Sequence, residues 1–232
     1  MGNLYIVSTP IGNLQDITLR ALETLASVDF IASEDTRHTT ILIKKYFEEN
    51  PREITDKLFP YYEEIEVQKI PQVMNLLLND KNVALVSDAG TPTISDPGFK
   101  LVREALANKI KVISIPGPTS LISALVSSGL PTDKFQFLGF LPQKPGHRLK
   151  FLIDLKKSLE ILSSTVIFFE SPYKIKKSLI DLKEVFGDIE IVVGRELTKI
   201  HEEVIKDKIS IFIEKYEKSS PKGELVILFN LK

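Results

Sequence analysis

Four short apolar runs in the first half of the chain each end in residues that can hold a ligand or move a proton. Leu4-Tyr5-Ile6-Val7 runs into Ser8-Thr9-Pro10-Ile11-Gly12-Asn13-Leu14, and Phe30-Ile31-Ala32 into Ser33-Glu34-Asp35-Thr36-Arg37. Val83-Ala84-Leu85-Val86 opens onto the twelve residues from Ser87 to Gly98, and Lys111–Ile115 onto Pro116-Gly117-Pro118-Thr119-Ser120. In open α/β sheets ligands lie beyond the carboxyl ends of the strands. Four such ends, rich in Gly, Pro, hydroxyls and carboxylates, predict one polar crevice lined largely by backbone. The Ser87–Gly98 segment holds two Gly, two Pro and two Asp. It is too long for a mere connection and points to a ligand.

Some of these residues also have architectural readings. Asp96-Pro97 fits a helix N-cap followed by Pro at the first helical position. Asp35 or Thr36 can cap the helix that follows, and Pro10 with Gly12 can shape a turn. Asp88, beside Gly90, has no cap to make and reads as functional.

Two more clusters close strands in the second half. Phe168-Phe169-Glu170-Ser171-Pro172-Tyr173 is one, and Gly194-Arg195-Glu196-Leu197-Thr198-Lys199 the other. Their charges need partners if buried, so an ion-pair network competes with a functional role. The stretch Phe137 to Arg148 mixes aromatics with Lys and Arg on a Pro/Gly-rich loop, which suits a mobile lid or a contact to single-stranded nucleic acid. No Gly-x-Gly-x-x-Gly, P-loop or Gly-x-Ser-x-Gly pattern occurs. His38, His147 and His201 stand far apart, so no His-based metal site is expected and each His reads as surface or hydrogen-bonded filler.

The elements that must position these residues alternate. Helical spacing of Leu19, Leu22, Leu25 and Ala26 follows the first strand, with Asp16 or Thr18 as N-cap. Ile41 to Tyr46 is helical, 48–64 reads as loop because of Pro51 and Pro60, and further helices fall at 66–79 and 99–108. Runs apolar on both faces and separated by helices predict a parallel sheet covered on both sides. After the hinge Ile115-Pro116-Gly117-Pro118 and a small apolar helix over 119–128, the rhythm changes. Strands are expected at 135–140, 165–169, 189–193, 209–213 and 225–229, with helices at 148–162 and 173–186. The fold class is therefore α/β in two domains: residues 1–116 with a mainly parallel sheet, and 117–232 as a mixed α+β domain.

Composition excludes several classes. With 43% hydrophobic residues and a formal charge of −1 over 232 residues, the chain can offset its ordering entropy and is not disordered. The lack of cysteine excludes disulfides, thiol nucleophiles and Cys-based zinc sites. The start Met1-Gly2-Asn3 has no basic residue, and Leu4–Val7 is too short for a signal peptide. No run is long enough to span a membrane, so a soluble cytoplasmic protein is expected. The near-neutral sum conceals an asymmetry. Residues 1–116 carry twelve basic against sixteen acidic groups, and 117–232 eighteen against fifteen. Within 144–177 eight Lys and Arg face three acids; a solvated helix face explains this, as does attraction of a polyanion.

In this order the clusters resemble the tetrapyrrole methylase superfamily, the class III S-adenosylmethionine-dependent methyltransferases. The motifs are Ser8–Leu14, Glu34–Arg37, Ser87–Gly98, Pro116-Gly117-Pro118, Ser128–Asp133, Phe137–Pro142 and Arg195–Lys199, with Lys222-Gly223-Glu224 near the end. Within the superfamily they are similar to members that methylate the ribose 2′-O of a cytidine in the decoding region of 16S rRNA. The resemblance implies a cofactor cleft between two domains, S-adenosyl-L-methionine as cofactor, 16S rRNA or the small ribosomal subunit as partner, and a homodimer. It assigns cofactor contacts to Pro10, Ile11, Gly12, Asp88, Gly90, Thr91, Pro92, Ile94, Ser95, Thr119 and Ser120, with Phe169 and Leu197 from the second domain.

A ribose hydroxyl needs a base to take its proton. Glu34, Asp35, Glu196 and Lys199 are the candidates, with Arg37 and Arg195 orienting a phosphate or carboxylate. Two other readings stay open: a tetrapyrrole precursor or a protein residue as substrate, or a non-catalytic RNA-binding ribosome-assembly factor.

Overall fold

The structure is a computed structural model that describes residues 1–231. Its contacts divide the chain into two compact units, Met1–Thr119 and the remainder from Ser120.

The first unit contains β1 (Leu4–Val7), α1 (Leu19–Ser27), β2 (Phe30–Ser33), α2 (Thr36–Tyr46), α3 (Pro51–Thr55), β3 (Leu58–Pro60), α4 (Glu66–Leu78), β4 (Val83–Val86), α5 (Phe99–Ala107) and β5 (Val112–Ile115). All five strands are parallel, in the order β3-β2-β4-β1-β5. Alternation along aliphatic strands sends Leu4, Ile6, Val83 and Leu85 to one face, where Val73, Leu77, Leu101 and Ala105 of α4 and α5 cover them. Val7, Ile31, Ala84 and Val86 meet Ala21, Leu25, Leu42 and Ile43 of α1 and α2 on the other. Two cores on two faces are what parallel crossovers require.

The second unit contains α6 (Ser120–Ser127), β6 (Phe135–Phe140), α7 (Pro145–Ile161), β7 (Thr165–Glu170), α8 (Ile175–Phe186), β8 (Glu190–Arg195), β9 (Glu203–Lys208), α9 (Ile209–Lys218) and β10 (Leu225–Phe229). Its sheet runs β6-β7-β10-β8-β9, with β6 and β7 parallel and the other pairs antiparallel. Phe168, Val193, Ile227 and Phe229 pack on Leu152, Leu179 and Phe212 from α7, α8 and α9 in one core.

Several sequence expectations are corrected. Residues 48–64 are not all loop. Pro51 occupies the N-terminal turn of α3, and Leu58–Pro60 adds an edge strand to β2, where the missing Pro60 amide is tolerated. The expected strand over 209–213 is the start of α9, whose Ile209, Phe212 and Tyr216 bury at helical spacing while Ile211 stays exposed. The true edge strand is the charged β9, paired with β8. Asp96 does not cap α5. Gly98 stands at the N-cap with φ +125°, and a Cβ there would collide with Leu85. Thr18 caps α1 by accepting from the Ala21 amide at 3.1 Å.

Arg148 is not on a mobile loop. It lies buried in α7, its Nε 2.7 Å from the Asp181 carboxylate, with Nη1 donating to the Pro142 and Gln143 carbonyls at 3.4 and 3.3 Å. Breaking such a pair leaves a charge without its partner. Arg148→Ala is therefore expected to cost about 3 kcal/mol in urea denaturation, with the double Arg148→Met, Asp181→Leu recovering most of it.

Candidate functional site

In the first sheet β1 and β4 are neighbours, yet the chain leaves β1 toward β2 and leaves β4 toward β5. The connections depart in opposite directions, so the switch point lies between these two strands, where such sheets bind ligands. The two loops that meet there are stitched together. Thr9 and Gly90 exchange backbone hydrogen bonds, Thr9 N–H to Gly90 O at 2.8 Å and Gly90 N–H to Thr9 O at 3.0 Å. Ser8 Oγ and Thr91 Oγ1 lie 2.8 Å apart, and Thr91 Oγ1 donates to Pro118 O at 3.3 Å. One chain of hydroxyls thus ties the ends of β1, β4 and β5.

Pro10, Ile11 and Pro92 are buried in this stitching, Gly12 and Ser95 are exposed, and Ile94 presents an open apolar side chain. Thr119 closes the first unit and Ser120 opens α6 in the second. Among the described residues the hydroxyl of buried Ser87, at the end of β4, finds no hydrogen-bond partner.

The acidic cluster after β2 joins the same edge. Asp88 N–H donates to Glu34 Oε2 at 3.1 Å, and Asp35 N–H to Asp88 Oδ1 at 3.0 Å. Asp35 caps α2, accepting from the Arg37 amide at 2.8 Å, and its two oxygens also receive the Arg37 guanidinium. The hydrogen bonds of the Arg37 side chain, then of its amide, hold the Asp35 carboxyl far below the usual carboxylate range. Such a group holds protons poorly. His38, expected from the sequence to be surface or hydrogen-bonded filler, places Nδ1 3.1 Å from Asp88 Oδ2. Ligand atoms of Asp35, His38 and Asp88 lie within 4.8 Å of one another, but the cluster is open and Arg37 already takes both Asp35 oxygens.

Glu66, on the first turn of α4, was invisible in the sequence. It is 4% exposed, and its Oε1 accepts from Gly98 N–H at 2.8 Å and faces the Tyr61 hydroxyl at 3.4 Å, while Oε2 pairs with Lys100 at 2.9 Å. It takes the amide of the N-cap residue Gly98 and so anchors the far end of the Ser87–Gly98 loop where α5 begins. Burial alone would raise its pKa. Lys100, Gly98 N–H and Tyr61 outweigh that, and the carboxyl is held below its ordinary value. Burial, then the Glu66 charge, pushes the Tyr61 phenol up.

In the second unit the Arg195–Lys199 turn is held by its own charges. Arg195 Nε donates to Glu203 at 3.1 Å, and the two Nη atoms donate to Lys222 O at 3.2 Å and His201 O at 3.3 Å. Lys199 Nζ lies 2.9 Å from Glu196 Oε1. Gly223 holds φ +82°, which favours glycine there, and its bare Cα leaves room for the Glu196 carboxylate. Leu197 is buried, and the half-buried Phe169 packs edge-on to Phe137 and Phe140, with centroids at 4.8 and 5.7 Å. The structure thus brings Ser8–Gly12, Glu34–Arg37 and Asp88–Ser95 to one sheet edge, and builds Arg195–Lys199 as a separate braced turn. A hollow of about 530 Å³ by Tyr46, Glu49 and Glu53 sits at the other end of α2, away from these groups.

Because the folded Glu66 carboxyl is depressed, its contribution to stability is full above the ordinary glutamate value of 4.5 and is lost as pH falls through the lower folded value. Glu66→Gln keeps an acceptor for Gly98 N–H but cannot titrate. It is expected to lower the melting temperature at pH 7 and to flatten the fall of stability with acid below about pH 4.5, read by thermal melts from pH 7 down to 3.

Comparison with known proteins agrees with this construction. Residues 3–211 match the family described as Tetrapyrrole (Corrin/Porphyrin) Methylases. The chain is 44% identical over 232 residues to the Ribosomal RNA small subunit methyltransferase I of Thermotoga maritima, covering all of both chains. It is 43% identical over 227 residues to the Streptococcus pyogenes serotype M3 protein of that name, covering 98% of this chain and 76% of the other. Among solved structures, the uroporphyrin-III C-methyltransferase of Thermus thermophilus complexed with S-adenyl homocysteine superposes with a TM-score of 0.63 at 14% identity, over 98% and 97% of the chains. That likeness speaks for the fold, and the family match with these relatives speaks for descent. The chain belongs to the tetrapyrrole (corrin/porphyrin) methylase family.

Proposed function

We propose that this protein transfers a methyl group from S-adenosylmethionine to small-subunit ribosomal RNA, at the ribose 2′-O of a cytidine in the 16S decoding region, and works as a cytoplasmic homodimer. The observation that carries the reading is the 44% identity, end to end, with a protein named as a small-subunit rRNA methyltransferase. The stitched loops all lie within that match. Among the described residues no helix is long and apolar enough to cross a membrane.

The residues present fit the cofactor. Exposed Gly12 and Ser95 offer open backbone, Ile94 offers an apolar contact and the partly exposed Asp88 a carboxylate. Pro10, Ile11, Gly90, Thr91, Pro92 and Thr119 shape the same edge. The bound cofactor supplies a methyl group on a positively charged sulfur. A loop whose ends are tied by Thr9, Thr91 and Glu66 is pre-set to hold that methyl in line with an incoming oxygen, so positioning supplies much of the rate.

As the ribose oxygen bonds to the methyl carbon, the carbon–sulfur bond breaks and the hydroxyl proton must pass to the protein. Asp35 is spent on Arg37, Glu34 accepts the Asp88 amide, and Lys199 is paired with Glu196. His38, with Nδ1 against Asp88 and a side chain 60% exposed, keeps Nε2 for a substrate. We assign it the base, with Asp88 orienting the ring.

Incubation with labelled S-adenosylmethionine and undermethylated small subunits, followed by mapping of 2′-O-methyl groups, tests the reading; no label in RNA overturns it. A tetrapyrrole or protein that accepts label instead would establish the other substrate classes. His38→Asn is expected to lower kcat by roughly 10²-fold while the Kd for the cofactor, read by calorimetry, stays within about twofold. A wild-type rate removes His38 from the mechanism and returns Glu34 and Glu196 to consideration.

A further inference from the structure

In the second sheet β6 runs parallel to β7, and β8 is turned twice through β10 to run the same way. The carboxyl ends of β6, β7 and β8 therefore line one edge. The first two ends share a composition. Phe140 closes β6, and Pro142 and Lys144 lead into α7; β7 is followed by Pro172, Tyr173 and Lys174, which lead into α8.

Each corner thus presents an aromatic ring and a lysine. Phe140 is 57% and Tyr173 94% exposed. Their strands are neighbours, since Phe140 is in register with Phe169 and its ring meets that of Phe169. Lys144 and Lys174 are the N-cap residues of their helices, places that Ser, Thr, Asp and Asn usually fill, and neither first turn carries an acidic residue. Among the described residues neither ammonium has an ion-pair partner, whereas Lys176 is paired with Glu217 and Lys199 with Glu196. Free cations beside bare aromatic faces complement a chain that offers phosphates and unpaired bases together. An acidic protein surface would use the lysines and leave the rings in water.

We propose that these two corners form a docking rim for a single-stranded segment of the RNA substrate. Bases stack on Tyr173 and Phe140, and Lys144 and Lys174 take the adjoining phosphates. The inference rests on the RNA-methylating reading above and adds where the RNA is held. Tyr173 is the leading contact, because its ring is almost wholly exposed. Phe140 also packs on Phe169 and is tested more gently, as Phe140→Leu.

The test measures binding of a fluorescently labelled, unstructured RNA oligonucleotide by anisotropy, and the KM for small subunits, in Tyr173→Ala, Tyr173→Phe, Phe140→Leu and the double Lys144→Ala, Lys174→Ala. Tyr173→Ala is expected to weaken RNA binding at least fivefold and to raise KM in parallel, with cofactor Kd and kcat unchanged; Tyr173→Phe should restore it. The lysine pair should lower the slope of log affinity against log salt by about 1.4. Wild-type RNA affinity and KM in Tyr173→Ala and in the lysine pair overturn the proposal. So does a change in oligomeric state in Tyr173→Ala by analytical ultracentrifugation, which would make the rim a contact between copies of the chain. If wild-type protein labels no RNA, yet oligonucleotide binding still depends on Tyr173, the methylation reading fails and the rim stands.

Discussion

Strand β4 is buried along its whole length, and the chain that leaves it must find partners for the backbone groups it carries off the sheet. In this protein that requirement is met at both ends of one loop. At the near end Thr9 and Gly90 exchange two backbone hydrogen bonds, and Thr9 Oγ1 donates to Ser87 O at 3.1 Å. At the far end the buried Glu66 carboxylate takes the Gly98 amide. Between these ties Thr93 and Ser95 hold positive φ, at 76° and 65°. A second such pair, Glu196 and Thr198, lies in the braced turn after β8. Strained residues of this kind persist only where their surroundings over-determine them. The remaining two non-Gly cases, Asp80 and Lys109, follow the ends of α4 and α5, where a left-handed residue is an ordinary helix stop.

Charge is divided by position more than by number. Of the cations between 144 and 177, Arg148 is buried on Asp181, Lys157 reaches Asp154 and Lys176 reaches Glu217. The count of eight therefore overstates what a polyanion could meet. Of the rest, Lys144 and Lys174 stand at helix starts on one sheet edge, while Lys150 and Lys156 lie along α7 and Lys177 in the first turn of α8. In the first unit the carboxylates beside the switch point are fastened to backbone amides, which spreads their charge over fixed dipoles in place of mobile counter-ions.

Much of this architecture was legible in the residues, for physical reasons that also mark where legibility stops. β1, β2, β4 and β5 are largely apolar on both faces and alternate with helices, a pattern that a covered parallel sheet satisfies. β3 escaped because an edge strand of three residues ending in Pro60 buries too little to leave a signature. Ile209–Ile213 misled because β-branched residues favour strands locally, while the packing of Phe212 and Tyr216 on β7, β8 and β10 decides for helix. Glu66 follows Glu63 and Glu64 and looks like one more solvated acid; its burial depends on Gly98 and Lys100, more than thirty residues away. His38 and Asp88 are fifty residues apart in the chain and meet only because β2 and β4 are neighbours.

The order of the second sheet bears on how the protein is made. β10, the latest strand in the chain, sits at the centre, between β7 and β8. As the chain emerges during synthesis, β7 and β8 each lack their shared neighbour, and their apolar edges stay open until Leu225–Phe229 arrives between them. The first unit, whose strands are all complete by Ile115, has no such wait. Folding of the two halves is thereby separated in time, and the later half is the one exposed to mispairing and in need of shelter while it waits.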